Sequence, residues 1–301
     1  MRLGVVTIML VVVVLMVVGC IFAEPAGLDD VWGSSSSDVF VVGSSGTIVH
    51  YDGTEWGEMT SSTINFLGGV WGVSPSNVFA VGSRTILHYD GREWNKMVCD
   101  VSFIENDDVW GSSSTDIFAI GVSGIILHYD GHAWDEMTSG TKSRLFDVWG
   151  TSSSDVFAIG DSGTILHYDG TGWSEMVSSV SIELHGVWGN SPSDVYVVGD
   201  SGTILHYDGT GWNEMVSGVS TELSSVWGSS SSDIYVVGDS GTILHYDGIE
   251  WSEMASGTTN FIRDVWGSSS SDIFAVGWGE TILHYDGHKW SPMIARPTSE
   301  E

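Results

Sequence analysis

VWGSSSSDIYVVGDSGTILHYDGIEWSEM, Val226 to Met254, contains most of what decides the fold of this 301-residue chain. Its opening Val-Trp-Gly recurs at Val31, Val70, Val109, Val148, Val187, Val226 and Val265, always 39 residues apart. His-Tyr-Asp-Gly follows in every copy, from His50 to His284, with a Trp six residues after the His and a Met three after that Trp. Copy two lacks one residue before His88 and regains it before Val109, so the unit keeps a fixed length. Seven copies at one period specify a repeat architecture.

Within a copy, short runs rich in β-branched and aromatic residues alternate with Gly, Ser and Asp, the signature of strands joined by tight turns. Copy one predicts strands at Leu28–Trp32, Val39–Val42, Ile48–Tyr51 and Trp56–Met59. The intervening loops Gly33–Asp38, Gly43–Gly46 and Asp52–Thr54 are short enough to force antiparallel hairpins. The third strand offers Ile48 and His50 to one face and Val49 and Tyr51 to the other, so both faces of the sheet need neighbours. Twisted four-stranded sheets stacked radially satisfy this, and seven is a usual number for a closed ring. An open solenoid would carry atypical polar caps, whereas copies one and seven keep every repeated position. The expectation is an all-β, seven-bladed β-propeller with four antiparallel strands per blade.

The segment Asp233 to Met254 resembles a kelch-type blade, in which a strand ending in Gly precedes a Tyr-Asp turn, a Trp and a Met. With Val-Trp-Gly ahead of it, the pattern is also similar to bacterial and archaeal propellers of the kelch, Asp-box and photosystem-assembly-factor type, over Leu28 to Met293. It departs from kelch in having one Gly (Gly238, then Asp239) for a pair, and from the Asp-box in lacking Ser-x-Asp-x-Gly-x-Thr-Trp. The resemblance implies that the first strand of each blade is innermost. It implies little about activity, because propellers host many.

Residues 1–23 stand apart as a signal, 24–293 form the propeller, and 294–301 are a short tail. Arg2 precedes an apolar run from Leu3 to Val18, and Val17-Val18-Gly19-Cys20 matches a lipobox that would place a lipid on Cys20. Cleavage after Ala23 and an uncleaved anchor are the alternatives; all three export the ring to the cell surface, the periplasm or the medium. Without Cys20 the chain has one thiol, Cys99, which excludes an internal disulfide or a cysteine-based metal site.

The net charge is −30, and no Lys or Arg occurs from Leu145 through Ile262. Phosphate-backbone contacts need basic residues, so nucleic acid is excluded as a partner. Seven equivalent histidines would be held apart by the blade spacing, and are read as interstrand hydrogen-bonding groups; no metal and no cofactor are expected. Asp161-Ser-Gly, Asp200-Ser-Gly and Asp239-Ser-Gly read as Asx-type turns.

Copies differ most just before Val-Trp-Gly and in the turn between the second and third strands. Four residues before the Val stand Phe66, Glu105, Arg144, Glu183, Glu222 and Phe261; two before it stand Asp29, Gly68, Asp107, Phe146, His185, Ser224 and Arg263. In the turn, Trp278 replaces the Asp of copies four to six and is the one Trp of fifteen outside the repeated positions. These positions share one end of the ring, and Arg144, Phe146, His185, Phe261, Arg263 and Trp278, with Glu183 and Glu222, are the candidate ligand-binding residues. No catalytic set is evident. The reading is an exported, monomeric binding or scaffold module for a glycan, peptide or cell-surface partner. An extracellular carbohydrate-active hydrolase or lyase using Glu183 and Glu222, and a structural or assembly factor, are the alternatives.

If the lipobox is used, labelled fatty acid will be incorporated into the wild-type protein and lost in Cys20→Ser. Secretion of unlabelled wild-type protein beginning at Glu24 would show cleavage after Ala23 instead.

Overall fold

In the computed structural model, residues 27–99 and 106–294 are described, so the signal segment with Cys20 and nearly all of the tail lie outside the described residues. The described chain forms seven four-stranded antiparallel sheets, each made from one continuous segment with its strands in sequence order. In blade one these are β1 (Leu28–Ser35), β2 (Asp38–Gly43), β3 (Ile48–Tyr51) and β4 (Trp56–Glu58). The first strands of successive blades touch around the ring, and that of blade seven, Ile262–Ser269, returns to β1. The protein is a closed seven-bladed β-propeller, its first strands lining a central channel. No strand is exchanged between the termini: Trp290–Pro292 is the outer strand of blade seven, and β1 is the inner strand of blade one.

Alternation along the second strand explains how the blades cohere. Phe40 and Val42 enter one apolar cluster with Leu67, Val70, Val78 and Ala80 of blade two. Val39 and Val41 point the other way, into a cluster with Phe274 and Val276 of blade seven. All four blade-one residues are fully buried, and each such side chain is worth about 1.5–3 kcal/mol. Ile48 and Val49 divide the same way between the two clusters, as expected from the period of two.

The inner strand is longer than the sequence suggests. It runs on through Ser35, leaving a turn of only Ser36 and Ser37 instead of a loop from Gly33 to Asp38. The physical reason is that the serines act within the hairpin. Ser34 Oγ donates to the Asp38 carboxylate at 2.6 Å, Ser35 pairs with Asp38, and a bulge between Gly33 and Ser35 absorbs the extra residue. The other oxygen of Asp38 meets His50 Nε2 at 2.7 Å. Every repeated His makes this contact to the first residue of the second strand, Asn77 taking the place of Asp for His88. The carboxylate thus stands between hydroxyl and imidazole, an order that ties strands together and does not activate a nucleophile.

The Gly of Val-Trp-Gly has a packing role. A Cβ at Gly72 would lie 2.8 Å from the ring of Trp32, and one at Gly33 would lie 2.6 Å from Trp266. The same contact joins Trp71 to Gly111, Trp110 to Gly150, Trp149 to Gly189, Trp188 to Gly228 and Trp227 to Gly267. Each inner-strand indole therefore rests on the glycine of the following blade, seven times around the closed ring.

A second set of inter-blade ties runs along the channel. Asp30 accepts the Val70 N–H, Asp108 the Val148 N–H at 3.0 Å, Asp147 the Val187 N–H at 2.6 Å and Asp264 the Val31 N–H at 2.9 Å. Each carboxylate reaches from the residue before its own Val to the equivalent backbone of the next blade. Burial is the main cause of a pKa well above the usual carboxylate range at Asp30 and Asp108, reinforced by the facing carboxylates Asp264 and Asp147. Burial likewise pushes Asp147 up to about 6.

A carboxyl whose folded pKa exceeds its unfolded value of about 3.9 gives stability that is complete below that value and lost as the pH rises through the folded pKa. For Asp147 the loss falls between the unfolded value and about 6. Thermal unfolding at decreasing pH, from about 6 to about 4.5, is expected to show rising stability with a slope on the order of 1 kcal/mol per pH unit. Asp108→Asn, which keeps an acceptor for Val148, should flatten the slope. Stability that falls on this acidification would contradict the assignment.

Candidate functional site

One end of the ring is built from the segments that enter the inner strands and from the turns between second and third strands. Backbone hydrogen bonds join them blade by blade: Ser44 N–H to the Gly27 carbonyl, Asp161 to Arg144, Asp200 to Glu183, Asp239 to Glu222 and Trp278 to Phe261. In five blades the turn is a single 3-10 turn whose middle Ser has a φ of 56–59°, followed by a Gly with positive φ. A Cβ at Gly46 would come within 2.2 Å of the Thr63 carbonyl oxygen, so the Gly is required by space as well as by backbone conformation. The shortened turn of copy two and the Trp278 turn of copy seven put Arg84 and Glu280 in the left-handed region instead.

At the centre of this end the channel opens into a cavity of about 480 Å³. Six of the eight sequence candidates line its wall: Arg144, Phe146, Glu183, His185, Glu222 and Arg263. Asp29, Asp107 and Asp161 complete the charged lining, so five carboxylates face two guanidinium groups. A larger groove of about 790 Å³ lies beside Ser45 and Ser61 in blade one, with counterparts in blades three and six. Its Ser, Thr and Gly lining follows from the repeat, and it carries none of the individual residues of the mouth.

Both arginines are held from two sides. Arg144 donates from Nε to Asp107 at 2.8 Å and from Nη2 to the other carboxylate oxygen at 2.5 Å, while its guanidinium lies 5.0 Å from the centre of the Phe146 ring. Arg263 donates from Nε to Asp29 at 3.3 Å and lies 5.1 Å from Phe261 and 5.8 Å from Trp278. Burial raises the Asp29 pKa, and Arg263 works against that rise. Bidentate and stacked arginines are pre-organised, with little freedom to lose on binding.

His185 and its neighbours, on blades five and six, stand between the two arginines of blades four and seven. Its Nε2 is 3.0 Å from Asp200 Oδ1 and 3.8 Å from Glu222 Oε1, and its ring is 5.3 Å from that of Phe146. Glu183, His185 and Asp200 bring one ligand atom each to within 4.8 Å of one another. The sequence reading treated Asp200 only as a turn residue. The available signal was Glu-x-His entering the inner strand, with the turn Asp paired beside it by the Leu184–Gly199 register.

The two remaining candidates, Phe261 and Trp278, stand outside the cavity wall. Phe261 is 9% exposed and sits beneath Arg263 and Trp278, so it supports the rim and offers little surface of its own. Trp278 is 54% exposed but has partners: it packs 5.3 Å from Phe261 and lies beside Gly27 at the junction of blades seven and one. It stands on the rim, outside the cavity wall. Two individual residues missed as site components, Asp29 and Asp107, are the counterions that hold the arginines.

No protein-family model matches the chain, and no curated protein matches it. Its similarities are to solved propellers. The structure "YCF48 bound to D1 peptide" superposes with a TM-score of 0.74 at 16% identity, over 87% of this chain and 94% of that one. YCF48 from Cyanidioschyzon merolae gives 0.72 at 13% identity, over 87% and 96%. The WD40 β-propeller domain of Doa1 gives 0.71 at 14% identity, over 92% and 96%. At such identities the likeness concerns the fold.

Proposed function

We propose that this chain is a non-catalytic propeller that binds an extended protein segment bearing positive charge across the cavity formed by Arg144, Phe146, Glu183, His185, Glu222 and Arg263. The observation that carries the reading is the convergence of the residues in which the copies differ. A sevenfold repeat would give seven equal walls. Here braced arginines on aromatic rings, from blades four and seven, flank carboxylates with a single His from blades five and six.

An asymmetric, partly apolar opening with a few fixed polar groups suits one ligand orientation. The excess of carboxylates over guanidinium groups in the lining favours a cationic partner, and the overall charge of −30 would steer it inward. The peptide complex formed by YCF48, a protein of the same fold, supports a polypeptide over a glycan as ligand. The apolar run and lipobox within residues 1–23 support export with attachment through Cys20, the ring acting as a monomer at the cell surface.

Selection from a random peptide display library on the immobilised protein, with a glycan array in parallel, tests this reading. Lys- or Arg-containing peptides should be enriched. Glu222→Gln and Phe146→Ala should each weaken the selected peptides by about 1–3 kcal/mol while the unfolding temperature stays within a few degrees of wild type. Enrichment of glycans alone, or peptide binding that both variants leave untouched, would overturn it.

A further inference from the structure

We propose that Glu183, His185 and Asp200, with Glu222 beside them, form a binding site for one zinc-type divalent cation. The hairpin of blade five builds it. Leu184 is fully buried and pairs with Gly199, and the bulge between Leu184 and Gly186 leaves His185 at the channel mouth, where Glu183 also lines the cavity. The Asp200 N–H donates to the Glu183 carbonyl at 3.1 Å, fixing the turn carboxylate next to both. Glu222 approaches from the same position of blade six.

The separations from His185 suit a metal, and Glu183 brings a ligand atom to within 4.8 Å of both His185 and Asp200. Zinc bonds of roughly 2.0–2.2 Å to nitrogen and oxygen imply distances of about 3.3–3.5 Å between tetrahedral ligand atoms. The distances from His185 Nε2, 3.0 Å to Asp200 and 3.8 Å to Glu222, lie on either side of that value. With Glu183, His185 and Asp200 as ligands, the fourth position falls to Glu222 or stays open toward the cavity. An imidazole among carboxylates selects zinc or a similar transition metal over calcium and magnesium, which prefer all-oxygen shells.

Charge and sequence individuality point the same way. Three carboxylates surround one imidazole in a stretch, Leu145 to Ile262, that has no Lys or Arg. The flanking arginines make their ion pairs with Asp107 and Asp29. A divalent cation would balance this wall. The other copies place Asp29, Gly68, Asp107, Phe146, Ser224 and Arg263 where copy five has His185, so the imidazole has no role required by the repeat. The seven repeated histidines differ, each being bonded to the Asp or Asn of its own hairpin.

The test needs only metal and the purified chain. Zinc titration by calorimetry and cobalt titration followed by visible absorption should both saturate at one ion per chain. His185→Ala and Asp200→Asn should each weaken binding at least tenfold, with unfolding temperatures near wild type, and millimolar calcium should leave bound cobalt in place. His132→Ala, in a turn remote from the mouth, should bind as wild type. No saturable binding, wild-type affinity in both His185→Ala and Asp200→Asn, or displacement of cobalt by calcium would overturn the proposal. None of these readouts depends on peptide binding, so either reading can fail alone.

Discussion

The contact of an inner-strand indole with the glycine of the next blade is the constraint on which this ring depends. Trp32 over Gly72 and its six equivalents set how closely neighbouring sheets approach at the channel, and Trp266 over Gly33 makes the last interface identical to the first. Val-Trp-Gly is therefore half of one interface and half of the next, which accounts for its unbroken recurrence in seven copies. The apolar clusters supply most of the burial, but they are adaptable. The indole and the missing Cβ are not, because a side chain at that point would fall inside contact distance of the ring.

Once spacing is fixed in this way, the chain is free to vary at the channel mouth. The carboxylates at Asp30, Asp108, Asp147 and Asp264 show the transition between the two regimes. Five of the seven copies spend that position on an inter-blade hydrogen bond, four through Asp and copy six through Ser225, whose hydroxyl donates to Asp264, while copies two and five carry Gly69 and Gly186. One residue further out, repetition ends altogether. Arg263 and Arg144 are anchored by carboxylates on neighbouring blades, Asp29 and Asp107, so the individuality of the mouth is itself made between blades.

Fold, blade count, strand order and the variable end were all legible in the sequence, because a period of 39 residues and alternation within strands report directly on them. The extent of the inner strand was not, since Ser34 and Ser35 look like loop residues until their bonds to Asp38 and Ser37 are seen. The role of the Val-Trp-Gly glycine was hidden for a related reason: its partner lies in the preceding copy, 40 residues away for Trp32 and Gly72, and no local pattern reports a contact at that range. Asp200 was masked by its likeness to Asp161 and Asp239, although only in blade five does the turn face a histidine. Trp278 was recognisable as an exception, but its packing on Phe261 and Arg263 required coordinates.

A double-mutant cycle at the closing interface tests the account most directly. Gly33→Ala should destabilise the ring by about 1–3 kcal/mol through overpacking against Trp266. Trp266→Phe, which shortens the ring system that Gly33 accommodates, should relieve a good part of that cost, giving a coupling energy of at least about 0.5 kcal/mol in chemical denaturation. Strictly additive losses in the double variant, or a Gly33→Ala protein as stable as wild type, would show that the indole and glycine do not set the blade spacing.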